Sequence, residues 1–478
     1  MIAFERVAWP ESVSRLALRA AIKGADLALQ VPLLRGFFLD RLVQRLDASY
    51  SEAESNVELL ERQRWFARHL RAFLYRLVNE RPTAARAIVR FMGTWAEDVR
   101  RRSTYQGAGA ATPCTVVIEP TDRCNFNCPG CYAKSTRDGS DLSYEQMERI
   151  VRQVVEMGVT LVTISGGEPF LREQADRTLT RLGAQFPRRG FLVYTNGSLI
   201  DEEIAARLQE VGNVFPAISV EGFEHQTDAR RGAGVYGRSR QVRRALAERG
   251  VMTGFSATVT RENCEAICRD EFIDLRIEEG DLFGWFFLLQ PIGRAPRPDL
   301  MVTADQRALL RETVDRWRRE DRPIFLGDFW NDGHLVDGCI AGGKYYFHIY
   351  ANGDISPCVF SPVACGNVFD IVDGRSPYPS LAEFVQRSPV FRAYRSEQER
   401  ITDRNRPCLL IDHPEAFARI ARVQGCRPAK NFPPGYIDGE IGRTIRDVAA
   451  DWEEAARDLP PVLCPRKAAS RPAQAASA

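Results

Sequence analysis

The sequence predicts an α/β protein built on a parallel sheet, with a helical segment before it and a cysteine-containing segment after it. Three observations predict this. Six strand-length apolar runs alternate with helical patterns between residues 115 and 292. Such repeated βα units demand parallel strands joined by right-handed crossovers. Residues 1–112 instead carry apolar residues at helical spacing, and a second group of cysteines follows the last apolar run. The 478 residues can bury a large core, enough for about two to four domains.

In chain order, residues 20–50 have helical periodicity interrupted by Pro32 and Gly36. Residues 57–78 are strongly helix-periodic, with Leu59, Leu60, Trp65, Phe66, Leu70, Phe73, Leu74 and Leu77 on the apolar positions. Pro82 breaks that pattern, and 83–99 begins another helix. Residues 1–102 hold 18 Lys/Arg against 12 Asp/Glu, a net of +6. A basic, aromatic-rich helical segment suits peripheral contact with an anionic membrane surface. The other reading, which we favour, is a small helical domain (1–106) packed on the sheet. Residues 107–113 read as a linker.

The expected strands are 115–121, 161–165, 191–195, 214–220, 253–260 and 285–291. Helices are expected between them, as at 143–157 and 201–211, with one more at 307–319. These make a unit spanning 107–322, followed by a cysteine-containing unit at 323–430. A final helix and a small, polar, disordered tail complete the chain at 431–478.

Three cysteines at C-x3-C-x2-C spacing follow the first strand: Cys124, Cys128 and Cys131 in TDRCNFNCPGCYA. Three thiolates in one loop satisfy three irons of an iron–sulfur cube and leave the fourth open. An open position distinguishes a catalytic metal site from a structural one. Four strand-end motifs follow in order: Ser165-Gly166-Gly167-Glu168-Pro169, Tyr194-Thr195-Asn196-Gly197, Ile218-Ser219-Val220-Glu221-Gly222, and the His225–Tyr236 stretch HQTDARRGAGVY. Glycines let a backbone approach a ligand closely. A carboxylate can hold an ammonium, and an arginine fork fits a carboxylate.

In this order the motifs resemble those of the radical S-adenosylmethionine (SAM) superfamily, over roughly residues 115–426. The resemblance implies a partial (β/α)6 TIM-like barrel with its site at the carboxyl ends of the strands. It implies a [4Fe-4S] cluster on Cys124, Cys128 and Cys131. It implies that the GGEP turn (Gly166, Gly167, Glu168 and Pro169) binds the SAM amino group, that Ser219 and Glu221 lie at the ribose, and that Arg230 or Arg231 meets the SAM carboxylate. Asn196 joins this cofactor-binding set. The family usually has an apolar residue before the third cysteine, packed on adenine; here that position is Gly130, and Tyr132 takes the role. The implied partner is an electron donor such as a flavodoxin or ferredoxin.

A second cysteine pattern, Cys339-x13-Gly353-x4-Cys358, contains the hairpin signal Asn352-Gly353. It resembles the start of a SPASM or twitch extension and implies one auxiliary iron–sulfur cluster, because the C-x2-C-x5-C portion of a full SPASM domain is absent. Cys339 and Cys358 are its ligands, with Cys408 as the third. Cys426, Cys365 and His413 are the options for the fourth, or the iron is open. Cys264 and Cys268, one helical turn apart, read as structural, and Cys114 and Cys464 carry no assignment. Between the barrel and this pattern, Asp328 and Asp332 flank Phe329 and Trp330. They are catalytic candidates in a substrate-pocket wall, able to move a proton; the same stretch also suits a turn-rich connector.

The near-neutral charge of +2 excludes a bulk nucleic-acid footprint. No apolar run reaches transmembrane length, and MIAFERVAWPES lacks a signal-peptide pattern. Twelve cysteines grouped at metal-ligand spacing fit a reducing cytoplasm. The expected function is radical SAM chemistry: reductive cleavage of SAM to a 5′-deoxyadenosyl radical, then hydrogen abstraction from a substrate. The substrate is a lipid or other apolar metabolite, or a peptide; the alternative is a SPASM-type maturase of a ribosomally made peptide. No leader-binding winged helix is evident in 1–112, which weighs against the peptide. A non-catalytic protein with zinc in both cysteine sites is the rival from another class.

Overall fold

Seven parallel strands run side by side in chain order and form most of one open ten-stranded sheet. The structure is a computed structural model that describes residues 70–106 and 112–459. Helix α1 is described over 70–80, and α2 is Pro82–Gln106. The barrel follows as β1 (Thr115–Ile118), α3 (Tyr144–Glu156), β2 (Leu161–Ile164), α4 (Phe170–Asp176), α5 (Thr178–Gln185), β3 (Gly190–Thr195), α6 (Glu202–Val211), β4 (Val214–Ser219), α7 (Glu224–Arg231), α8 (Val235–Glu248), β5 (Gly254–Val259), α9 (Cys264–Ile267), α10 (Asp270–Glu278), β6 (Phe283–Leu288), α11 (Ala304–Arg319) and β7 (Phe325–Asp328).

The helices begin where the sequence supplies caps. Ser143 and Thr303 form capping boxes with Gln146 and Gln306, and Asp201 caps α6. Along each strand, alternate residues go to opposite faces. Phe191 and Val193 of β3 join the layer under α3–α6, while Leu192 and Tyr194 turn to the concave face.

The concave face is closed at the amino ends of the strands by α1 and α2. Leu70, Phe73, Leu74 and Leu77 pack on Leu192, Phe215, Phe283 and Phe325. Arg76 donates to the carbonyls of Ile277 and Asp281, and Arg189 grips Asp98 of α2 through both carboxylate oxygens. The described part of the N-terminal segment is therefore a plug in the bottom of the barrel. Residues 1–69, with the expected helix at 20–50 and most of that at 57–78, lie outside the described residues, as do 107–111 and the tail from 460. No described helix is long and apolar enough to cross a membrane.

All six expected strands are present, the first ending at 118 rather than 121. The sixth spans 283–288 rather than 285–291, because Phe283 pairs with Gly254 and Pro291 has no amide to give. A seventh, β7, lies between the 307–319 helix and the second cysteine pattern; four residues with a glycine inside carry little periodic signal.

The C-terminal segment adds β8 (His348–Ile349), β9 (Asp354–Ser356), β10 (Val363–Ala364) and β11 (Gly366–Asn367). It continues with α12 (Val368–Val372), α13 (Leu381–Arg387), α14 (Pro389–Arg400), α15 (Pro414–Ala421), β12 (Arg427–Pro428) and α16 (Glu440–Ala455). The expected hairpin is β8–β9, turned at Gly353 with φ +83°. β8 runs parallel to β1, so this segment is fused to the barrel edge beside the cysteine loop.

Candidate functional site

The loop after β1 carries the three cysteines and is seated on the turn after β2. Gly167 N donates to Thr121 O at 2.9 Å, and Glu168 N donates to Arg123 O at 2.8 Å. A Cβ on Gly167 would stand 1.9 Å from Arg123 O, and one on Gly166 (φ +107°) 2.5 Å from Thr121 O. The glycines that sequence reading assigned to close approach of a ligand are thus also required by close approach of the cysteine loop.

Glu168 is buried at this junction. Oε1 accepts from Thr195 Oγ1 at 2.6 Å and Phe170 N at 3.1 Å, and Oε2 accepts from Asn196 N at 2.8 Å. Burial raises its pKa despite these donors. One lone pair of Oε2 remains for a ligand donor. Asn196 donates from Nδ2 to Asn125 Oδ1 at 2.9 Å, tying the end of β3 to the cysteine loop. Pro169 precedes α4 as its cap residue. Tyr132 hydrogen-bonds Ser165 through its hydroxyl and packs 5.5 Å from Phe360.

Across the loop, Glu221 is completely buried at the end of β4. Its Oε1 accepts from Arg231 Nε at 2.8 Å and lies 2.9 Å from Arg230 Nη1. Both arginines occupy the last turn of α7, where the helix dipole favours cations. Two guanidiniums facing one carboxylate leave a net positive charge. Ser219 Oγ is 3.4 Å from Ser256 Oγ on the neighbouring strand.

Burial pushes the Cys124 thiol up to about 12, with Glu168, Cys131 and Cys128 adding to the rise. Burial also raises Cys128, but Arg231 and Arg230 oppose it. The structure therefore brings together the three cysteines, Glu168, Glu221 and both arginines. These residues fit a cluster with an amino-acid ligand. The thiols share one loop beside cationic groups, and a carboxylate and a net positive charge flank them for an ammonium and a carboxylate.

The sulfur hydrogen bonds sort the cysteines further. Cys124 accepts from Phe126 N, Cys358 from Phe360 N and Cys408 from Leu410 N, each at 3.4 Å and each two residues on. Cys339 accepts from Ala341 N in the same way. Such donors stabilise a thiolate and tune a cluster. By contrast, Cys114, Cys264 and Cys365 donate to the carbonyls of Tyr345, Gln306 and Ile355, as protonated thiols do.

Cys339, Cys358 and Cys408 are neighbours. Burial and then Cys339 raise the Cys358 thiol, burial, Asp412 and then Cys339 raise that of Cys408, and Tyr346 Oη lies 2.9 Å from Cys358 Sγ. Cys426 has a different neighbour. The β10–β12 register pairs Ala364 with Arg427 and so sets Cys426 opposite Cys365. His413 Nε2 is 2.8 Å from Arg406 O. Cys365 and His413 are thus engaged elsewhere, while Cys426 has Cys365 as its neighbour. No three His, Cys, Asp or Glu side chains among the described residues converge on a single metal ion; a cluster spreads its thiolates over separate irons.

Asp328 and Asp332 are turned away from the concave face. Phe325 and Gly327 of β7 face Phe73 and Trp285, so strand alternation sends Asp328 toward α11. Asp332 accepts from Arg318 of that helix at 2.7 and 2.8 Å and from Asp328 N at 2.8 Å. Asp328 is fully buried, accepts from Asn331 Nδ2 at 2.7 Å, and is lifted to about 7 by burial and by Asp332. The aromatic neighbours go inward instead. Phe329 stands 5.3 Å from Phe287, which is 5.6 Å from Tyr194 and 6.0 Å from Phe360.

Sequence reading missed Phe360, Glu119, His348 and Lys430. Glu119 was visible as a lone carboxylate closing an apolar strand, but its partner Lys430 is 311 residues away.

Comparison with known proteins agrees with this geometry. Residues 118–267 match the family described as the radical SAM superfamily. The mycofactocin maturase MftC of Mycobacterium ulcerans (strain Agy99) is 30% identical over 308 residues, 61% of this chain and 79% of that protein. The PqqA peptide cyclase of Granulibacter bethesdensis is 25% identical over 71% of this chain and 93% of that protein. The Fe-coproporphyrin III synthase of Methanosarcina barkeri is 31% identical over 49% of this chain, which spans only 58% of that relative's length. In fold, the chain is similar to SuiB of Streptococcus suis bound to the precursor peptide SuiA, with TM-score 0.52, 18% identity, and coverage of 76% of this chain and 80% of that one. By motif, site geometry and similarity to these relatives, the chain belongs to the radical SAM superfamily.

Proposed function

We propose that the chain is a radical SAM enzyme acting on a peptide, with an auxiliary iron–sulfur cluster on Cys339, Cys358 and Cys408. The observation that carries the reading is the convergence of the cysteine loop, Glu168 and the Arg230–Arg231–Glu221 group at the carboxyl ends of β1–β4. A reduced cluster with SAM bound would supply a 5′-deoxyadenosyl radical, which takes a hydrogen atom from the substrate. Cys124, Cys128 and Cys131 would hold that cluster. The free lone pair of Glu168 would accept from the SAM ammonium, and the surplus positive charge at Arg230 and Arg231 would meet its carboxylate. The plug of α1 and α2 excludes water from the bottom of the barrel.

The wall of Tyr132, Tyr194, Phe287, Phe329 and Phe360 suits an aromatic or aliphatic side chain. A peptide can present one, and the PqqA peptide cyclase is by its name a peptide-modifying relative. Arg76, Arg81 and Arg102 of the described helices donate to barrel carbonyls and so serve the packing of the plug rather than a membrane surface. Anaerobic turnover with SAM, a reductant and peptides deuterated in aromatic or aliphatic side chains tests the substrate class. Deuterium transferred from a peptide into 5′-deoxyadenosine supports it; transfer only from a non-peptide apolar compound refutes it.

A further inference from the structure

The barrel edge holds a buried polar group that the cysteine chemistry does not use. Glu119, just past β1, and His348, in the adjacent β8, are both completely buried. His348 Nε2 lies 3.2 Å from Glu119 Oε1. Lys430 Nζ sits 2.9 Å from the other oxygen, Oε2, and 3.4 Å from Asp122 Oδ2. The same ammonium stands 5.5 Å from the centre of the Tyr350 ring, which packs 4.2 Å from His348. Burial works to raise the Glu119 pKa, but Lys430 and His348 outweigh it and hold the carboxyl at about 2.

Glu119 lies directly under the glycine turn. A Cβ on Gly166 would come within 2.9 Å of Glu119 Cβ. The next residue after Lys430 grips the other end of the cysteine loop. Asn431 Nδ2 donates to Tyr132 O at 3.1 Å, and Gly293 N donates to Asn431 O at 3.0 Å. Two consecutive residues of the C-terminal segment thus hold both ends of the loop. Lys430 also neutralises a carboxylate that has no access to water, and a buried charge left without its partner is strongly unfavourable.

We propose that Lys430 is a positioning residue for the SAM-binding face. By fixing Glu119 it fixes the seat of Gly166 and Gly167, so docking of the C-terminal segment is a condition for ordered SAM binding. The proposal rests on the cysteine loop and the GGEP turn forming the SAM site.

The test is a SAM titration of the reduced, anaerobically reconstituted full-length protein, followed by the change in its cluster EPR signal. Lys430→Met, compared at equal iron content, should need about tenfold more SAM for half the change, the size of effect that second-layer partners have on metal sites. Lys430→Arg should stay near the parent. The double variant Glu119→Gln/Lys430→Met, which removes the fully buried carboxylate along with its cation, should recover most of the loss. Half-saturation of Lys430→Met within twofold of the parent overturns the proposal, as does a double variant no better than Lys430→Met. A parent signal indifferent to SAM overturns the site assignment itself, and the proposal with it.

Discussion

Arg231 Nε donates to Glu221 Oε1 at 2.8 Å, and Arg230 approaches the same oxygen. The two arginines expected at the SAM carboxylate are thus organised by a carboxylate of the protein. Replacing Arg231 by Met leaves the fully buried Glu221 with one partner fewer. The apo-protein should lose roughly 3 kcal/mol, read from its denaturation midpoint. Adding Glu221→Gln should restore part of it. A single variant as stable as the parent would show that the pair contributes nothing to the fold.

Gly167 is fixed by contact with the cysteine loop rather than by a turn requirement. In Gly167→Ala the new methyl would stand 1.9 Å from Arg123 O, so the loop must lift. Far-ultraviolet circular dichroism should be unchanged while iron in the first cluster falls. Full iron loading of this variant would mean that the contact is relaxed in solution.

The amide-to-sulfur bonds, together with the grouping of Cys339, Cys358 and Cys408, predict which cysteines of the C-terminal segment hold iron. Serine at Cys339, Cys358 or Cys408 should each remove up to about four irons per chain, one cluster's worth. Serine at Cys365 or Cys426 should leave the count unchanged. An iron loss in Cys426→Ser would restore that residue as a ligand.

The raised pKa of Asp328 makes a signed prediction. A carboxyl with a folded pKa of about 7 keeps a proton that the unfolded chain, titrating at about 4, has already released. The stability linked to that proton is present at low pH and lost as pH rises across that interval. Asp328→Asn imitates the protonated form. The Tm advantage of Asp328→Asn over the parent should therefore widen between about pH 4 and pH 7 and level off above that. Parallel Tm profiles would show that Asp328 is ionised at an ordinary pKa.

Much of this was legible in the chain because it is local. The C-x3-C-x2-C loop, the GGEP turn and the Asn352-Gly353 hairpin are each specified by neighbouring residues, and the six βα units by periodicity. Relationships across the sheet were not legible. The inward or outward turn of Asp328 depends on the register of β7, a strand too short to show a period. Cys426 matched the spacing of a ligand, but its neighbour is set by the pairing of β10 with β12. The Glu119–Lys430 contact joins the two ends of the fold and leaves no mark in either local sequence.

In the proposed function, the cysteine loop and the motifs around it perform radical SAM chemistry. The most direct measurement is 5′-deoxyadenosine formed from SAM by the anaerobically reconstituted protein, with and without a low-potential reductant. Reductant-dependent formation that disappears when Cys124, Cys128 or Cys131 is replaced by Ser is expected. No 5′-deoxyadenosine from protein with its clusters fully loaded, or formation that survives loss of these cysteines, would contradict it.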